Sequence, residues 1–277
     1  MGDSHLNPSV IHITTNGINT GRIVSTLEQV KSLDKVHIKV SIDDVGEKHD
    51  KIRGVRGAYD KAINTLKELT KLRDNYGLHV GVNQAILDEA SMGAHDDLKG
   101  QLASLNVPVY GAIAYDGSAS LYSENPTTKN TVDPKKSLNP YGEWTHEALS
   151  RAINRFSTDE KIVSNFAERL VVSYFVNGLH DRMVDGEKSP KGPSCVALNS
   201  HLRLLPNGDV PVCLYNGKVV GNIRETEFEE IWFGHQIESS RQWVKACNGC
   251  WTSCETAVSA IYAGDIYTGL FSKRVNS

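Results

Sequence analysis

Five cysteines carry the most specific chemistry in this sequence. Residues 1–194 contain none, and then come Cys195, Cys213, Cys247, Cys250 and Cys254. An odd number of clustered thiols, with no basic-then-apolar leader over Met1 to Val10, argues against a disulfide framework. It favours thiolate ligation of a metal in a reducing, cytoplasmic setting. Cys247-Asn248-Gly249-Cys250 has the spacing of a knuckle, in which two thiolates grip one metal centre. Cys254 follows Cys250 by one helical turn if a helix starts there. Leu202 to Leu205 and Val210 to Cys213 flank Pro206-Asn207-Gly208-Asp209 and read as a hairpin that carries Cys213 back towards Cys195. Four thiolates can therefore converge with one to spare. A four-cysteine set suits a structural zinc ion and an iron–sulfur cluster alike, and spacing alone leaves both open.

The elements that would position these thiols come late in the chain, behind a different architecture. Val10 to Thr14, Val36 to Ile42, Leu78 to Leu87 and Val107 to Ala114 read as strands. Between them, Ile18 to Leu33, Ala58 to Asn75 and residues 95–105 read as helices, the second with Ala62, Leu66, Leu69 and Leu72 on one face. Alternation of strand and helix with short connections predicts an α/β fold with a parallel sheet or barrel. Residues 116–145 turn to Ser, Asn, Thr, Pro and Lys and read as a loop or linker. Glu147 to Gly178 has helical period, residues 181–194 read as a boundary, and Ala257 to Tyr262 as a short final helix. We expect three parts: 1–125, 126–190 and 191–277.

Composition narrows the function classes. Hydrophobic residues make up 39% and charged residues 23%, as in a globular chain. The formal net charge of -3 gives no electrostatic reason to expect nucleic acid as a partner. No apolar run approaches the ~20 residues of a membrane helix.

The order Cys195, PNGDVPVC (Pro206 to Cys213), GNIRETEFEEIW (Gly221 to Trp232) and CNGCWTSC (Cys247 to Cys254) resembles the SPASM domain, or the smaller twitch domain, that follows the barrel of radical S-adenosylmethionine (radical SAM) enzymes. These domains hold auxiliary [4Fe–4S] clusters, so the resemblance implies iron and sulfide rather than zinc. The sequence has fewer cysteines than a full SPASM domain and lacks its final one, which implies one cluster rather than two. Its ligands would be Cys195, Cys213 and two of Cys247, Cys250 and Cys254. The alternative that the residues alone leave standing is a zinc-stabilised, non-catalytic binding module.

The first half is similar to the same family. ITTNG (Ile13 to Gly17) resembles the third barrel strand and its turn. VSIDD (Val40 to Asp44), followed by His49-Asp50 and IRG (Ile52 to Gly54), resembles the fourth strand and the loop behind it. GAYDKAINTLKEL (Gly57 to Leu69) resembles the next helix. The resemblance implies a partial radical SAM-type (β/α) barrel followed by a small cysteine-rich α+β domain. It also implies S-adenosylmethionine contacts: Ser41 by its hydroxyl, Arg53 by pairing its guanidinium with the methionine carboxylate, and Asn16 at its turn. The family's Cys-x-x-x-Cys-x-x-Cys loop has no counterpart before Cys195. We therefore expect these residues to start at the third strand and to be inactive alone, with a preceding segment or a second chain completing the barrel. The resemblance implies that the complete system would modify a substrate, such as a peptide, by radical chemistry. Leu214 stands where sulfatase-maturating relatives carry an acidic residue, which argues against that subgroup.

Overall fold

The computed structural model of the chain describes residues 8–114, 120–121, 144–159, 166–183, 194–247 and 250–270. The chain divides into two compact units, Met1–Ala114 and Tyr115–Ser277.

In the first unit, β1 (Ile11–Thr15), β2 (Val36–Ser41), β3 (His79–Ile86) and β4 (Val109–Ile113) form one four-stranded sheet in sequential order. Every neighbouring pair is parallel. Sequential order means that each crossover steps in the same direction. That is the winding of a (β/α) barrel, whereas a doubly wound sheet reverses its order midway. The expected α/β class is what the structure shows.

The crossovers are α1 (Thr20–Leu27), then α2 (Glu47–Arg53) with α3 (Ala58–Tyr76), then α4 (Glu89–Leu102). Ala62, Leu66 and Leu69 on α3 are fully buried and belong to one cluster with Ile38, Val40 and Val82 of the sheet. Burying one such leucine contributes about 1.5–3 kcal/mol. The alternate residues, among them His12, His37, Lys39 and Ser41, are partly or largely exposed on the opposite face. At the end of β1, Gly17 has φ +71, and a Cβ there would run into Val40 and Ala62. Only glycine lets the turn lie this close to both.

Two departures from the sequence reading of this unit have identifiable reasons. α4 starts at Glu89, not 95, because Asp88 caps it, its carboxylate accepting the Ser91 N–H at 2.9 Å. The segment read as a loop after β2 contains α2. It is anchored by Asp50, whose carboxylate accepts the N–H groups of Gly57 at 2.5 Å and Tyr59 at 2.9 Å. Asp50 thereby caps α3 from outside that helix, where Gly57 has no side chain to do so.

In the second unit, α5 (His146–Asp159) and α6 (Phe166–Met183) cover most of the stretch of helical period from Glu147 to Gly178, and residues 160–165 lie outside the described residues. Most of the expected linker, 116–145, lies outside the described residues. The hairpin also differs from expectation. β5 (Asp209–Pro211) pairs antiparallel with β6 (Val219–Asn222), not with Leu202 to Leu205. The reason is Asn216-Gly217, an overlooked turn signal. Cys213 donates its N–H to the Asn216 carbonyl at 3.2 Å, and Asn216 Oδ1 accepts the Lys218 N–H at 3.1 Å. Three helices follow: α7 (Phe228–Phe233), α8 (His235–Ala246) and α9 (Ser253–Ala263). The last is longer than the expected Ala257 to Tyr262 and takes Cys254 into its first turn. Val210, Val212, Val220, Ile231, Ile237 and Val244 make a small core that Cys195 and Cys213 join at its margin.

Candidate metal centre

Cys195 opens a tight turn ahead of Leu198, and its sulfur accepts the Ala197 N–H. Cys213 leaves β5 into the Asn216 turn, and its sulfur accepts the N–H groups of Tyr215 and Asn216. Cys250 has the Thr252 hydroxyl 3.7 Å from its sulfur. Cys195 and Cys213 thus each meet a donor, and Cys250 a hydroxyl able to donate or accept, two residues further along the chain. Donors aimed at sulfur are what thiolate-held centres require.

The thiols are also close enough to feel one another's charge. Cys195 is influenced by Cys247, Cys213 by Cys195, and Cys250 by both Cys213 and Cys195. Burial pushes the Cys195 thiol up to about 11 and Cys213 up to about 12, and it raises Cys250 as well. Without a cation these sulfurs stay protonated. A bound metal centre reverses that preference, because its positive charge outweighs the desolvation of the thiolates. Partly buried sulfurs with neighbouring sulfurs and hydrogen-bonding groups beside them therefore fit a thiolate-held group. Among the described residues no three Cys, His, Asp or Glu side chains stand in a finished metal-binding arrangement. Cys247 is partly buried, and the side chain of Cys254 lies outside the described residues, as do Asn248 and Gly249.

A carboxylate borders the thiols. Glu255, on the first turn of α9, is 4% exposed and influences Cys195, Cys213 and Cys250. Arg203 donates to its Oε1 at 2.7 Å, and His201 Nε2 lies 3.1 Å from its Oε2. Burial disfavours the charge, but the bonds from His201 and Arg203 outweigh it and hold Glu255 below the usual carboxylate range. Sequence reasoning missed this group, because nothing in the spacing of His201, Arg203 and Glu255 announces it.

In the first unit, Asn16, Ser41 and the segment to Arg53 all lie at the carboxyl ends of β1 and β2, the end at which parallel α/β sheets bind ligands. Asn16 is exposed, and its Oδ1 accepts the Ile18 N–H at 3.1 Å. Ser41 ends β2 opposite Asn83 in register. Arg53 pairs through Nε with Asp43 Oδ2 at 2.7 Å. Asp43, 4% exposed, also accepts the Ala85 N–H at 3.2 Å. Its own N–H donates to Nδ1 of His49, which is 1% exposed. His49 is lowered from its ordinary pKa by burial, only partly offset by Asp43, so it serves as a neutral acceptor that latches the loop. Asp43 was not singled out in the sequence, although it lies inside the VSIDD segment.

Residues 195–251 match the SPASM family model, an iron–sulfur cluster-binding domain. The sporulation killing factor maturation protein SkfB of Bacillus subtilis (strain 168) is 27% identical over 81 residues, 29% of this chain and 19% of SkfB. The chain thus spans about a fifth of the length of that relative. Among solved structures, native anSMEcpe with bound AdoMet is similar at 14% identity and a TM-score of 0.48, covering 95% of this chain and 71% of that one. Native anSMEcpe with bound AdoMet and the Kp18Cys peptide gives 13% and 0.47, covering 95% and 72%. The matched segment supplies Cys195, Cys213, Cys247 and Cys250, the four thiols whose surroundings are described above. Residues 195–251 match the iron–sulfur cluster-binding SPASM domain, and the chain that carries them is similar over 81 residues to the maturation protein SkfB.

Proposed function

We propose that this chain holds one auxiliary [4Fe–4S] cluster through Cys195, Cys213 and two of Cys247, Cys250 and Cys254. In the complete system it serves S-adenosylmethionine-dependent radical modification of a peptide. The observation that supports this most is the grouping of partly buried, mutually influencing thiols inside the matched SPASM segment. The peptide reading draws on SkfB, a maturation protein by name. When bound, the cluster supplies one-electron chemistry and a fixed anionic anchor beside the substrate. The chain's own residues shape its surroundings: the β5–β6 hairpin presents Cys213, α9 closes one side, and Glu255 ties α9 to Arg203 and His201.

At the sheet, Ser41 and Arg53 are the groups proposed to contact S-adenosylmethionine. Asp43 holds Arg53 through Nε, the inner nitrogen of its fork, which leaves the outer N–H groups to serve as a carboxylate clamp. Among the described residues β1 and β4 are sheet edges, which suits completion of the barrel by a further segment or a second chain. A cluster whose irons are all held by cysteine leaves no open position for the cofactor. Reduced with dithionite in the presence of S-adenosylmethionine, these 277 residues should therefore make no 5′-deoxyadenosine above background while retaining iron and sulfide. Production of 5′-deoxyadenosine traced to this chain's own iron would overturn the reading.

A further inference from the structure

The face of α9 that borders the thiols carries two hydroxyls with unusual placements. Thr252 is fully buried at the N-cap of α9. A threonine there ordinarily accepts a backbone N–H from the first turn, yet this one makes no such side-chain bond. Its hydroxyl lies 3.7 Å from the Cys250 sulfur instead. Ser259, 3% exposed, shares a helix face with Glu255 one turn earlier. Its oxygen accepts the Val196 N–H at 3.4 Å, which commits a lone pair and leaves its proton to donate. The hydroxyl also acts on the Cys195 thiol, favouring its charged form against the effect of burial. The two hydroxyls thus reach two different sulfurs from one helix, adding to the Ala197, Tyr215 and Asn216 amides at Cys195 and Cys213.

We propose that Thr252 and Ser259 are positioning residues that set the reduction potential of the centre by donating hydrogen bonds to the sulfurs of Cys250 and Cys195. The inference deepens the cluster reading and rests on it. Adding one electron to a thiolate-held cluster increases the negative charge on its sulfurs. A hydrogen bond to sulfur therefore stabilises the reduced form more than the oxidised form and raises the potential. Removing either hydroxyl should make reduction harder without removing a ligand.

The test uses the full chain, reconstituted anaerobically with ferrous iron and sulfide. It is titrated with dithionite, one electron per cluster, in the presence of mediator dyes, and followed by visible absorbance. Thr252→Val and Ser259→Ala should keep the iron and sulfide content of the parent and shift the midpoint to more negative potential. The double variant should shift furthest, and Thr252→Ser should restore the parent value. Full loading with unmoved midpoints would overturn the proposal. Loss of the cluster from Thr252→Val leaves Ser259→Ala to decide. Loss from both, with Thr252→Ser no better, would show a structural role and overturn it equally. A parent chain that takes up no iron would instead overturn the cluster reading itself.

Discussion

The sheet unit and the cysteine module are held together by opposite means. Around α3 the first unit buries a broad apolar cluster, and its buried polar groups close on one another: Asp43 with Arg53, His49 and Ala85, and Gln84 with His95 at 2.7 Å and with the Asp43 carbonyl at 2.8 Å. The cysteine module has a smaller apolar core and places beside it sulfurs whose burial is unfavourable for the charge that ligation needs. The core of the first unit is closed by its own side chains. The module is built so that folding and metal binding support each other.

The sharpest way to break that contrast is Cys213→Ala. It removes a proposed ligand and the thiol at the turn of the β5–β6 hairpin, so iron binding and the folding of the module should be lost together. Iron analysis and near-ultraviolet circular dichroism check this, and full retention of iron would show that Cys213 is not a ligand. Next in size is Leu66→Ala in the first unit, where a fully buried side chain is cut back. It should cost about 2–5 kcal/mol in urea unfolding while leaving iron uptake unchanged. A parallel loss of iron would mean that metal binding by the module depends on the core of the first unit.

Legibility in the sequence followed the same contrast. The parallel α/β unit was readable because apolar periodicity is a long signal: Ala62, Leu66 and Leu69 marked α3, and VHIKV marked β2. The elements that escaped were set by single side chains acting at a distance or at a turn. Asp50 caps α3 from outside it, Asp88 starts α4 early, and Asn216-Gly217 redirects the hairpin. In the site, the late grouping of the cysteines was legible from residue type and spacing, and the matched segment contains four of them, whereas Asn248 and Gly249 of the expected knuckle lie outside the described residues. Glu255, Thr252 and Ser259 were not legible, because their roles depend on which face α9 turns towards the sulfurs, and a short helix does not declare that.

Two smaller effects sharpen the account of the sheet unit. Asp43→Asn removes the charge that pairs with Arg53 and weakens the acceptor for Ala85. It should destabilise the unit by about 1–3 kcal/mol and lower affinity for S-adenosylmethionine, measured by calorimetry. Unchanged affinity would mean that Arg53 does not need Asp43 to act. The smallest effect is a pH slope. His12, His37 and His79 lie side by side across β1, β2 and β3, with ring centres 5.0 and 4.1 Å apart. Burial first, then His79, His12 and Lys39, lowers His37 from 6.5 to about 4. The unfolded chain therefore takes up this proton before the folded one does, and stability falls as pH drops from about 6.5 towards 4. His37→Asn should flatten that part of the profile in thermal melts, and an unchanged slope would remove His37 from it.

The central claim is that the grouped thiols hold an iron–sulfur cluster. Its most direct test is the iron, sulfide and zinc content of the anaerobically reconstituted chain, read with its visible spectrum. The account predicts about four irons and four sulfides per chain, with broad visible absorption. One zinc per chain, no sulfide and no colour would contradict it.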